Sequence, residues 1–78
     1  MEKLEVGETA VLEDNKEFIC FSRIQDQGND YVYLISNYKP LEIKFAKQNI
    51  VNNELELTII ENQEEKEYVY NLFQKKIQ

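Results

Sequence analysis

Histidine is absent from this chain, and cysteine occurs once, at Cys20. Without an imidazole, Ser-His-Asp and Cys-His nucleophilic arrangements cannot form within these residues, nor can a histidine metal site. One thiol allows no intrachain disulfide. Cys20 alternates with Phe18 along an apolar stretch, so it reads as a small buried hydrophobe, and buried thiols are usually inert. The two glycines, Gly7 and Gly28, are isolated, which excludes a glycine-rich phosphate loop. Long apolar runs are also missing, and none approaches membrane-spanning length. Met1 is followed by alternating charged and apolar residues rather than a signal-peptide apolar stretch. The expectation is a cytoplasmic protein.

What is present points to a small globular unit. The 78 residues are expected to form a single domain over 1–78. A domain of ~60 residues buries only about 60% of the surface of its unfolded chain, so a few large side chains must hold the core. Five Tyr and four Phe supply them, and the 42% hydrophobic content argues against disorder. Fifteen acidic and nine basic residues leave a formal charge of −6. That charge repels phosphate backbones and anionic headgroups, so direct nucleic-acid and membrane binding are not expected. A basic protein partner is compatible with it, and so is simple solubility.

Residues 17–36, EFICFSRIQDQGNDYVYLIS, carry the strongest local signal. Two β-branched and aromatic runs flank a polar segment with Gly28, which reads as a β-hairpin. Either a two-residue turn at Gly28-Asn29 or a four-residue loop over 26–29 puts Phe18, Cys20 and Ile24 with Tyr31, Tyr33 and Ile35. Ile19 and Phe21 then share the other face with Val32 and Leu34. Both faces are apolar, so this hairpin should be central or part of a strongly curled sheet.

Before the hairpin, Gly7 punctuates a lead-in in which Leu4 and Val6 share a parity and suit packing under the sheet edge. Residues 9–12 form a short strand. A turn centred on Asp14-Asn15 would place Val11 opposite Phe18 and Thr9 opposite Cys20. After the hairpin, Pro40 interrupts the pattern. Residues 41–47 alternate as a half-buried strand, Leu41, Ile43 and Phe45 against Glu42 and Lys44. Leu55, Leu57 and Ile59 alternate with Glu54, Glu56 and Thr58. A straight two-residue turn at Asn52-Asn53 would put these two apolar sets on opposite faces, so an odd loop or bulge is expected between Lys47 and Glu54.

The period changes at the C-terminal end. Asn62 with Glu65 three positions on resembles a capping box. Val69, Leu72, Phe73 and Lys76 follow helical spacing, with Glu64, Glu65 and Glu67 early and Lys75 and Lys76 late, as the helix dipole favours. The spacing predicts a helix over about 63–76 whose Val69/Leu72/Phe73 stripe covers the sheet, with Tyr70 more exposed. The fold class is therefore α+β: a curled antiparallel sheet of about five strands over about 9–60, an SH3-like barrel being one form, with one C-terminal helix packed on it.

No chemistry-bearing motif emerges. The carboxylates fall in turns, on solvated strand faces or at the helix start, where acid–base work has no cleft to act in. Residues 26–30 (DQGND) lack the ligand spacing and distal Glu of a Ca²⁺ loop. Tyr31 and Tyr33 could stack bases, but without a basic groove they read as core. No catalytic, cofactor or metal residues are identified, and no enzymatic activity is expected. Tyr is common at protein interfaces, and Tyr38 and Tyr70 are expected nearest the surface, which makes them the candidate interaction residues.

The lead-in LEVGE, the turn LEDNKEF, the segment GNDYVYLIS and the late LELTIIENQEEKEYVYNLF together resemble small acidic uncharacterised proteins of low-GC Gram-positive bacteria, their phages and mobile elements. The resemblance implies a bacterial cytosolic setting and an accessory or regulatory role, and carries over no functional residue. The segment LEVGETAVL is similar to the opening of SH3-like barrels. Two roles fit: a protein-interaction or regulatory module, or an acidic nucleic-acid mimic that blocks a DNA-binding protein. An unpaired sheet edge at 9–12 or 41–47 would also allow a homodimer.

Overall fold

Polar turn residues divide the chain into five strands ahead of a helix. The structure is a computed structural model that describes residues 3–12 and 15–77, the side chain of Ile77 excepted. The strands are β1 (Thr9–Val11), β2 (Glu17–Asp26), β3 (Asn29–Ser36), β4 (Ile43–Val51) and β5 (Glu54–Ile59), followed by helix α1 (Gln63–Ile77). All neighbours are antiparallel, in the order β1-β2-β3-β4-β5. The sheet curls into a half-barrel with α1 packed on its outer face, an α+β architecture. Among the described residues no helix is long and apolar enough to cross a membrane.

The β2–β3 hairpin is central, as its two apolar faces require. Its turn is Gln27-Gly28, closed by the pair Asp26 and Asn29. Both turn residues have positive φ, 49° and 81°, the primed geometry that matches strand twist. The turn thus lies one residue before Gly28-Asn29, in the register that the four-residue loop would give.

One residue reorganises the rest of the hairpin. Ser22 pairs with Tyr33 and Cys20 with Leu34, so Phe21 is an extra residue, a β-bulge. Ile24 and Tyr31 share a face as expected. Beyond the bulge the parity reverses, and Phe18 and Cys20 join Val32 and Leu34, not Tyr31 and Tyr33. Ile19 instead lies opposite Ile35. A bulge bends its strand and increases the local twist, which suits the curl.

The inner face of the half-barrel holds one core. Leu4, Phe18, Cys20, Val32, Leu34 and Ala46 are buried there, with Ala10, Leu12, Tyr38, Leu55, Leu57 and Ile59 against them. This corrects two registers. Ala10, not Val11, faces Phe18, and Thr9 faces Ile19, not Cys20. The five residues 12–16 between β1 and β2 are an odd number, which turns Ala10 inward; Asp14 of the expected turn lies outside the described residues. Between β4 and β5 the turn is the plain Asn52-Asn53 pair, both at positive φ, with no irregularity after Lys47. Leu55, Leu57 and Ile59 therefore point inward, while Ile43 and Phe45 point outward. The expected bulge is not needed, because the curled sheet buries apolar residues on both faces.

The outer face holds the second core, Tyr31, Ile60, Val69 and Phe73 with Ile24, Tyr33, Phe45 and Leu72. The helix begins where expected. Asn62 Oδ1 accepts a hydrogen bond from the Glu65 amide at 3.0 Å, an N-cap. The Glu65 carboxylate pairs with Lys47 at 2.8 Å, tying the first turn of α1 to β4. At the other end the Lys76 ammonium donates to the Arg23 carbonyl of β2.

The lead-in is locked rather than loose. Gln48 is fully buried, and its amide bonds both the N–H and the carbonyl of Leu4, at 2.8 and 3.1 Å. Leu4 is buried, but Val6 is exposed, so only half of the expected pair packs. Val6 lies instead in the turn that Gly7, at φ 92°, completes, closed by the Glu8 amide donating to the Glu5 carbonyl at 3.0 Å.

Candidate interaction surface

Helix α1 covers only part of the outer sheet face. Its Val69 and Phe73 sit over the end of the sheet carrying Ile24, Tyr31, Tyr33 and Phe45. The opposite end of that face is bare. The register sets a row across four strands there, Thr9, Ile19, Ile35 and Ile43. Ile19 and Ile35 are half-buried. Around them Phe21 is 51% exposed, Ile43 54% and Tyr70 48%, and Leu41, in the loop two residues ahead of Ile43, is 71% exposed. Val11 lies on the same face of β1 and is also exposed.

The exposed aromatics are braced from below. Phe21 lies 5.3 Å from Tyr33, ring to ring, and Tyr33 meets Phe45 and Phe73 edge-on at 5.1 and 5.5 Å. Phe45 stacks on Phe73 at 5.8 Å and touches Tyr70 at 6.4 Å. A continuous aromatic cluster thus runs from Phe21 on β2 to Tyr70 on α1. Such pairs each contribute about 0.5–1.5 kcal/mol beyond area burial, so both rims of the bare patch are held in place. Large contiguous apolar patches on small soluble domains mark contact surfaces.

A groove opens on the inner face, between the two edge strands. This groove of about 850 Å³ has an apolar floor of Ala10, Leu12, Phe18, Leu55, Leu57 and Ile59. Its rim carries charges of both signs, Lys16, Glu42, Lys44, Glu56 and Glu61. Lys16 pairs with Glu42 at 3.5 Å.

The perturbed ionisable groups are committed to structure. Asp30 is buried and accepts from Arg23 at 3.0 and 2.7 Å, with Lys3 at 3.2 Å and Gln48 at 3.4 Å. Burial pushes its carboxyl up, but the hydrogen bonds from Arg23, Gln48 and Lys3 outweigh this and hold it below its ordinary value. Arg23 also reaches Glu5 at 2.6 Å. Burial raises the Cys20 thiol, which lies fully inside the inner core. A raised thiol is a poor nucleophile at neutral pH.

The two tyrosines expected at the surface part company. Tyr70 is exposed and borders the bare patch. Tyr38 is half-buried: its ring meets Phe18 edge-on at 5.9 Å and its hydroxyl donates to Glu42 at 2.6 Å. Tyr68 takes its place among the exposed tyrosines and donates to Asp26. Sequence reasoning missed Phe21, Leu41 and Ile43 as surface residues. Strict alternation placed all three under cover, and only the bulge and the reach of α1 reveal them. Comparison with known proteins gives no matching family model, no matching curated protein and no matching solved structure.

Proposed function

We propose that this chain is a small bacterial cytosolic protein-interaction module with an accessory or regulatory role, which acts by binding rather than by catalysis. The observation that carries the reading is the bare apolar end of the outer sheet face, where Phe21 and Ile43 stand more than half exposed, with exposed Leu41 in the loop leading into β4 and exposed Tyr70 on α1. Tyr and Phe are enriched at interface cores, where few charges occur. Tyr70 belongs to this surface; Tyr38 supports the inner core and the 37–42 loop. Of the carboxylates, Asp30, Glu42, Glu65 and Glu5 are each paired with a cation. That intermixing weighs against a nucleic-acid mimic, which needs an unbroken carboxylate face.

The test is affinity capture from a low-GC Gram-positive host with the wild-type chain and a Leu41→Asp/Ile43→Asp double variant. Both substitutions sit on exposed side chains, so the fold survives them. Proteins enriched by the wild type and lost from the double variant support the surface. Identical sets from the two baits refute it.

A further inference from the structure

We propose that the bare end of the outer sheet face is covered by a second copy of this chain, packed face to face about a twofold axis. The proposal rests on the reading of that face as a contact surface and adds its occupant. Charge is the first argument. The chain carries −6, and two copies that approach on carboxylate-bearing surfaces repel. Ile19, Phe21, Ile35, Leu41, Ile43 and Tyr70 bear no charge, and Glu17, which the register puts on this face at its margin opposite Val11, is held by the Asn37 side-chain amide at 2.7 Å, so two like-charged chains can meet on apolar side chains with that carboxylate at the rim. An isologous contact also needs a self-complementary surface. A row of β-branched residues across β2, β3 and β4 is one, since two sheets pack face to face about 10 Å apart with their side chains interleaved.

Area is the second argument. A half-exposed aromatic leaves roughly 100 Å² of surface bare. Phe21, Tyr70, Leu41 and Ile43 together leave on the order of 400 Å² of apolar surface. Interface cores are about 65% apolar, so such a patch implies roughly 600 Å² taken from each copy. That is the lower end of the range for specific interfaces, about 1,200 Å² in total. The partly exposed Ile19 and Ile35 add a smaller share.

Edge-to-edge pairing is the weaker geometry. β4 is paired on both sides, so 41–47 is not a sheet edge. The edge strand β1 has only three residues, and β5 carries Glu54 and Glu56, charges that blunt an edge.

The experiment is light scattering with sedimentation velocity on wild type, Ile43→Asp, Leu41→Asp and Val6→Asp at about 100 µM, above the dissociation constant expected for a marginal interface. Circular dichroism checks that each variant folds. Val6 is exposed but lies on the lead-in, outside the row. Twice the 9.3 kDa chain mass is expected for wild type and Val6→Asp. Dissociation constants raised at least ~10-fold are expected for Ile43→Asp and Leu41→Asp. A wild type that stays monomeric up to about 1 mM overturns the second copy, and so does a dimer that both Asp variants retain. A monomer leaves the contact surface itself standing, because that reading fails only if wild type and double variant capture the same proteins.

Discussion

Replacement of Asp30 by Asn tests whether the buried ion pair, and not the apolar core alone, holds the lead-in onto the sheet. Asp30 is 4% exposed and receives three charge-assisted contacts, two from Arg23 and one from Lys3, besides the Gln48 amide. Asn preserves the shape but removes the charge, leaving Arg23 with the exposed Glu5 as its carboxylate partner among the described residues. Removing one member of a buried pair costs about 3–5 kcal/mol, and the partial exposure of Arg23 puts this case near 3 kcal/mol. At roughly 0.05–0.15 kcal/mol per residue, a domain of this length has about 4–12 kcal/mol in all. Urea unfolding at pH 7 should therefore move its midpoint down by about 2–3 M, taking a slope near 1 kcal/mol/M. The same carboxylate predicts acid sensitivity. Its folded pKa lies below its ordinary value, so its contribution is complete above the unfolded value of about 3.9 and is lost as pH falls through the folded value. Between pH 5 and 2 the wild type should lose stability more steeply than Asp30→Asn. A variant within about 1 kcal/mol of wild type at pH 7, or with the same acid slope, would refute the role given to the pair.

Three further outcomes follow from the packing. Phe73 is fully buried between Phe45 and Tyr33; Phe73→Ala should cost about 3–5 kcal/mol, seen by thermal melting as a midpoint lowered by more than about 10 °C. Gln27 sits at φ 49° beside Gly28, so Gln27→Asn, which tolerates left-handed backbone, should raise stability by about 0.5–1 kcal/mol in urea titrations. Cys20 should react with a thiol-specific reagent only as fast as the protein unfolds, because its sulfur is fully buried and its thiol raised by burial; rapid native labelling would contradict its place in the core.

Local signals were legible in the sequence, and signals set by the neighbour across a sheet were not. The helix was readable because Asn62, the early glutamates and the Val69/Phe73 spacing all lie within the segment they describe. The β2–β3 hairpin was readable for the same reason. Register was not. Parity reasoning assumes one wet face, yet the half-barrel buries Leu55, Leu57 and Ile59 inside and Phe45 outside. Nor can alternation detect a bulge among Ile19, Cys20 and Phe21, since all three are apolar and any of them could face either way. The buried role of Gln48 was hidden because the strand was expected to end at Lys47, one residue short of it. The candidate surface depended on how far α1 reaches across the sheet, a distance fixed by Ile60, the Asn62 cap and the Lys47–Glu65 pair together.

The bulge links the core to the surface. Because Phe21 is the extra residue, Cys20 faces inward while Ser22 faces the outer side, and Phe21 itself is pushed into solvent. Deleting Phe21 would make Cys20 and Ser22 consecutive in a regular ladder, where alternation alone keeps them on their observed faces. Every other residue of β2 retains its partner. The deletion should therefore still fold, losing about 0.5–1.5 kcal/mol with the Phe21–Tyr33 contact, while removing one border of the bare patch. Phe21→Ala keeps the bulge and serves as the comparison. If both variants fold and both weaken self-association, Phe21 serves the surface. If the deletion unfolds while Phe21→Ala does not, the bulge is required to curl the sheet, and the exposed ring is a by-product of that curl.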